Sequence, residues 1–448
     1  MWPDRARKPE KSGEFAEHLA VITNAIANCA NCAGGDGTKR ILIFVHGGMN
    51  TFNQSLERVQ ELVPAISNAS YYPLFINWDS GFVSSYWEHL LITRQGRVQP
   101  VWGPLTSPFY LAADLGRAIT RAPVVWYHQL TSDASTAIRY DTPEIVRKAL
   151  FSKAPSASQT DARHQAGELE ISRGSDNRRT PNRVWYGTSY FVTLPLKLVV
   201  APFIDALGKG AWDNMSRRTQ TMFWGPNVFK SPSQFRSPAK NVDIEKALER
   251  IARPETGTVA QLVQSLHDLI KSDQANHRDE YEITLIGHSM GTIVANEIIR
   301  THPELPFRNI VYLGAACSVS DFEKTVVPYL RNPTNHAQFY NLTLHPIAEA
   351  REAQWSLLDI PPRGSLLEWI DNFLASPRTV PERTLGKWEN VVSTSVLIPK
   401  EIAGRVHIKA FDVGGSKQAR KEQPQKHGDF TDKDKDFWKE SFWQVKSR

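Results

Sequence analysis

Residues 281–299 read YEITLIGHSMGTIVANEII. The first six are mostly apolar or β-branched, which predicts a strand buried on both faces. After GHSMG, the run TIVANEII carries apolar residues at helical spacing. Strand, tight turn and helix around Gly287, Ser289 and Gly291 form the setting in which a serine sits on a strained turn at the top of a sheet, its hydroxyl pushed outward. Only glycine leaves room for the neighbouring backbones at such a turn. The helix start beside the serine offers backbone N–H groups to a developing negative charge. Ser289 is the candidate nucleophile.

Working outward, RILIFVHGG (40–48) is a second buried strand that stops at glycine. TFNQSLERVQELVPAI follows with a helical period that puts Leu56, Val59, Leu62 and Val63 on one face. YYPLFINWD (71–79) closes a strand–helix–strand unit, which belongs in a mostly parallel sheet. Further strands are expected at 309–317, 336–346 and 405–415, and helices at 15–28 and 257–271. The fold class is α/β, a mostly parallel sheet with flanking helices.

Between Ser80 and about Ala239 that rhythm is lost, and aromatic and proline residues crowd in (SYWEHL, PVWGPL, PVVWYHQL). We therefore read three parts. Residues 1–79 are an N-terminal helix and the first part of the core, 80–239 a cap- or lid-like insertion, and 240–448 the rest of the core. Within the insertion, 159–183 has almost no large apolar residue and reads as a solvated loop. Phe191–Leu207 is the most apolar stretch, but Pro195, Lys197, Pro202 and Asp205 interrupt it and it falls short of a spanning length. It is expected to be a core or lid helix, with contact to a membrane surface as the second reading.

FVHGG together with IGHSMG resembles the α/β-hydrolase superfamily, and the resemblance extends over 40–80 and about 242–430. It implies Ser289 as nucleophile and backbone N–H groups of Gly48 and Met290 as the oxyanion hole. It also implies the chain order serine, acid, histidine. After the last strand, His427 in KHGDF is then the expected base. The acid is expected in the loop past Leu344, where Glu349 is favoured and Asp359 lies farther along; Asp321, after the preceding strand, is the other location. His46 and His288 read as turn or packing residues.

The implied chemistry is hydrolysis of a carboxylic ester through an acyl-enzyme, on a small-molecule or lipid-like substrate. The same site would also serve an amidase, a thioesterase or an acyltransferase, and a silent hydrolase fold would use its insertion to bind a partner or a membrane surface. No cofactor and no metal is implied.

Composition narrows the rest. With 53 Lys and Arg against 47 Asp and Glu in 448 residues, a net charge of +6 gives no support for a nucleic-acid partner. Three cysteines make no disulfide framework, so all three are expected as thiols. The charged N-terminus lacks the pattern of a secretory signal, and the expectation is a cytoplasmic protein.

Overall fold

A computed structural model describes residues 12–50, 52–94, 97–99, 101–130, 169–171, 183–223, 257–344, 348–349, 352, 362–394, 398–411 and 423–444. Its elements, in chain order, are α1 (Ser12–Ala27), β1 (Lys39–Val45), α2 (Phe52–Asn68), β2 (Tyr72–Ile76), α3 (Phe82–Leu91), the small hairpin β3 (Thr93–Arg94) and β4 (Arg97–Val98), and α4 (Trp102–His128). There follow β5 (Leu169–Ile171), α5 (Arg183–Thr221), α6 (Thr258–Ala275), β6 (Tyr281–His288), α7 (Gly291–Thr301), β7 (Phe307–Leu313), α8 (Val319–Arg331), β8 (Gln338–Thr343) and β9 (Val406–Ala410).

Seven strands make one sheet in the order β2-β1-β6-β7-β8-β9-β5, and every neighbouring pair is parallel. Both faces are covered, as the apolar strands require. In β1, Ile41, Ile43 and Val45 point into a core shared with α6, α7 and α8, while Leu42 and Phe44 point into the opposite one. The same alternation runs through β7, with Ile310 and Tyr312 on one side and Val311 and Leu313 on the other. The second core is closed by α2 and by the C-terminal aromatics Phe437, Trp438, Phe442 and Trp443, all buried. On α2 the inward face is Ser55, Leu62 and Ile66; Leu56 points to solvent, because the helix is turned slightly from the stripe read in sequence.

Strand order reverses between β1 and β6, since β2 lies on one side of that pair and β7 on the other. The crevice outside the carboxyl ends at such a switch point is where α/β sheets place ligands. The loop His46-Gly47-Gly48 leaves β1 there, and Ser289 leaves β6.

Three expectations change. Leu169–Ile171, expected inside a solvated loop, forms an edge strand on β9, so backbone pairing to an open sheet edge overrides its polar surroundings. Cys29 and Cys32, expected as thiols, are joined as a disulfide with Cα atoms 5.7 Å apart; the turn after α1 folds one back on the other. Cys317 is a buried free thiol. The apolar run 191–207 is the middle of a 39-residue helix that carries Pro195 and Pro202 inside it.

Candidate active site

The elbow is built as steric necessity dictates. Ser289 holds φ = 50°, the left-handed region that costs a residue with a side chain. It is kept there by Ser289 N–H donating to Leu313 O (3.0 Å), while Ser289 O accepts from Thr292 N–H and Ala316 N–H (both 3.1 Å). A Cβ on Gly291 would lie 2.2 Å from Val45 O, and one on Gly287 3.0 Å from Thr292 Cα. Both flanking glycines therefore let the first turn of α7 press against the ends of β1 and β6.

The β1 loop touches the same atoms. A Cβ on Gly47 would meet Ser289 Cβ at 2.8 Å, and one on Gly48 would meet Met290 Sδ at 2.7 Å. Gly48 and Met290, the two residues expected to supply oxyanion N–H groups, are thus side by side. His46 fixes this loop with both ring nitrogens: Nδ1–H donates to Gly47 O (2.7 Å) and Nε2 accepts from Trp78 N–H (2.9 Å). Trp78 stacks on the imidazole. Burial holds His46 neutral, its pKa pushed down to about 4. With both nitrogens engaged, His46 is a clasp.

His427 opens the helical turn His427–Thr431 and is buried. Its ring lies against Gly314, whose missing Cβ would stand 3.0 Å from Cε1 and Nδ1. Gly314 directly follows Leu313, which binds the nucleophile's own backbone, so serine and histidine flank one strand end. His288 Nε2–H donates to His427 O at 3.0 Å, and the Glu352 carboxylate accepts from His427 N–H. From α2, Arg58 Nη1 donates to Thr431 Oγ1 (2.8 Å). Burial pushes His427 down to about 4 and His288 further below its ordinary value. The His427 ring is therefore neutral at physiological pH, the form in which an imidazole accepts a proton.

Ser289 Oγ and both ring nitrogens of His427 make no hydrogen bond among the described residues. Catalytic hydrogen bonds are often long or misaligned before substrate arrives. No described carboxylate bonds the His427 ring either. Asp321 is engaged elsewhere: it closes a capping box at the start of α8, accepting from Ser318 N–H at 3.2 Å. Glu349 is buried one turn before Glu352, whose N–H donates to Glu349 O (3.3 Å). Burial and the carboxylates Glu389, Glu368 and Glu352 drive its pKa well upward, against the opposing charge of Lys387. Asp359 lies outside the described residues.

Three residues have roles at this place that the sequence did not assign. Glu352 stands with Glu349 and Asp359 among the carboxylates past Leu344, but its bond goes to backbone, which no motif reports. Gly314 had a signal, a glycine ending the strand NIVYLG. His288, read as packing, anchors the base loop.

Above the strand ends, Met290 and Ala316 pack in one apolar cluster with Trp78, Val125 of α4, and Ala201, Trp212 and Met215 of α5. Leu367, Ile370, Phe373 and Leu374 complete it.

Residues 222–332 match a family described as phospholipase/carboxylesterase, within the α/β-hydrolase superfamily; the match covers about a quarter of the chain and includes the elbow. No curated protein and no solved structure matches the chain.

Proposed function

We propose that this chain is a serine hydrolase of the α/β-hydrolase type that cleaves carboxylic esters through an acyl-enzyme. A hydrolase of the ester type is what the family match supports. The observation that carries the finer reading is the left-handed Ser289 between β6 and α7, with the His427 ring packed on the adjoining strand end.

In the mechanism, Ser289 Oγ attacks the ester carbonyl while neutral His427 takes its proton. The N–H groups of Gly48 and Met290 receive the developing oxyanion. His427 then gives its proton to the departing alkoxide and afterwards activates the water that frees the acid. Glu349 is our assignment for the orienting acid, because its segment reaches the base loop through Glu352. An apolar acyl or alcohol portion suits the cluster over Met290, which makes a lipid-like ester the favoured substrate.

The test is labelling with a fluorophosphonate, which reacts only with an activated serine. Covalent adduct on Ser289, absent from Ser289→Ala, supports the reading; no labelling of folded protein refutes it and favours a silent hydrolase fold.

A further inference from the structure

Helix α4 and the 191–205 stretch of α5 are turned inside out relative to a soluble protein. Every residue of 101–130 that faces solvent is uncharged: Val101, Trp102, Leu105, Phe109, Leu115 and Ile119 lead a face on which Thr120 is the lone residue that is neither apolar nor aromatic. The charges of α4 point the other way. Arg117 and Arg121 bind Asp205 of α5 at 3.0 and 3.2 Å, and Asp114 accepts from Tyr86 of α3 at 3.0 Å. On α5 the pattern repeats: Phe191, Val192, Leu196, Val199 and Phe203 are exposed, whereas Lys197 and Asp205 are wholly buried. The helices run antiparallel, since Trp126 Nε1–H donates to Leu198 O while the lower-numbered Arg117 reaches Asp205.

Soluble monomers rarely leave an apolar surface of this extent open. A protein partner would be met by a polar, hydrogen-bonding rim, and this face has none along α4. Charges turned inward and paired, with apolar side chains outward, are what hydrocarbon demands. Phe191–Thr221 is long and apolar enough to cross a membrane, yet only 33% of its apolar window is buried. Trp102 stands at one end of the α4 face, and Trp126 and Tyr127 at the other, the positions amphipathic rings take at a lipid–water boundary. In sequence, Arg94 and Arg97 precede α4, and Arg178, Arg179 and Arg183 lead into α5, a charge that suits anionic headgroups.

We infer that a lipid bilayer covers this face: α4 and the 191–205 stretch of α5 form a membrane-embedded arm. The contact is thus wider than the 191–207 segment alone, and α4 supplies half of it. The same two helices carry Val125 and Ala201 into the cluster around Met290, so the arm joins the membrane to the candidate site.

Vesicle flotation tests this without reference to catalysis. The intact chain should float with phosphatidylcholine–phosphatidylglycerol vesicles. Phe109→Asp, Ile119→Asp and Val192→Asp together should cut flotation by about tenfold or more, because carboxylates are strongly disfavoured in hydrocarbon. These side chains are 73, 76 and 74% exposed, so circular dichroism and turnover of a short soluble ester should stay unchanged. Brominated lipid should quench the tryptophan fluorescence of the unaltered protein, and Trp102→Phe should reduce that quenching; this arm needs no charged variant to fold. Failure of the unaltered protein to float, or quenching indifferent to Trp102→Phe, overturns the inference. So does a soluble dimer that the triple variant dissociates with no vesicle binding, which would make a second copy the occupant.

Discussion

His288 Nε2 and the carbonyl oxygen of His427 are 3.0 Å apart, so the residue before the proposed nucleophile holds the backbone of the proposed base. The link couples the two halves of the proposed dyad through main chain and not through the reacting groups. His288→Phe removes it while keeping an aromatic ring in a buried place. We expect kcat to fall by about 100-fold with KM little changed, since a displacement near 1 Å in a catalytic group costs on that order. Steady-state kinetics on a chromogenic ester check this, and a rise in KM alone would contradict it.

Ser289→Ala should abolish ester hydrolysis to the level left by binding and oxyanion contacts, with the fold intact. Relief of a left-handed residue is not expected to stabilise it, because alanine carries the same Cβ. Circular dichroism beside turnover decides the matter; wild-type turnover in this variant would remove Ser289 from the mechanism.

The glycines separate folding from catalysis. Gly291→Ala drives a Cβ into backbone at 2.2 Å and should cost about 1–3 kcal/mol or more, seen as a lowered denaturation midpoint. Gly314→Ala strikes the His427 ring instead, at φ = 50°, and should depress kcat more than a shift in stability of the same size explains.

The acid side of the rate profile should be displaced. With His427 held at about 4 by burial, the base remains unprotonated well below its ordinary 6.5. kcat/KM should therefore stay level down to about pH 5 and fall through about pH 4. An acid limb centred near 6.5 would mean that the ring is solvated or charge-paired in the working enzyme.

Glu349→Gln should lower kcat/KM by about 10⁴-fold, the loss seen when a triad acid is neutralised. Asp321→Asn should leave the rate near normal and act on α8 through its capping box. Glu352 adds a stability signature. Burial raises its carboxyl to about 7, so the folded protein holds a proton there that the unfolded chain releases near 4.5. Stability from this group is then lost as pH climbs from 4.5 to 7, and Glu352→Gln should gain on the unaltered protein across that window. Paired urea titrations at pH 4.5 and 7 measure it.

What was legible in sequence were features enforced by local sterics or by a strong apolar pattern. Ile41 to Val45 and Ile283 to Ile286 could only be buried strands, and Gly287 and Gly291 announced a crowded turn. The acid was not legible, because a carboxylate's partner is fixed by tertiary approach: Asp321 and Glu349 both follow strands, and only coordinates show one spent on a helix cap. Leu169–Ile171 escaped for a related reason. A three-residue edge strand has too few side chains to carry a pattern and is defined by the neighbour it finds.

The sheet's central pairing sets an order of assembly. β1 lies in register against β6 from Lys39–Tyr281 to Val45–Gly287, with residues 46–280 between them in the chain. β6, α7, β7, α8 and β8 are consecutive and contact their sequence neighbours, so they can associate with little loop closure. During synthesis β1 and β2 can pair with each other as soon as both emerge, but the other edge of β1 must wait, open, until β6 leaves the ribosome. The Gly47-Gly48 loop and Ser289 would then meet only at the last docking step, so an incomplete chain would leave the proposed site unassembled. Pulsed hydrogen exchange should accordingly protect the amides of β7 and β8 before those of β1; protection of β1 first would reverse the order.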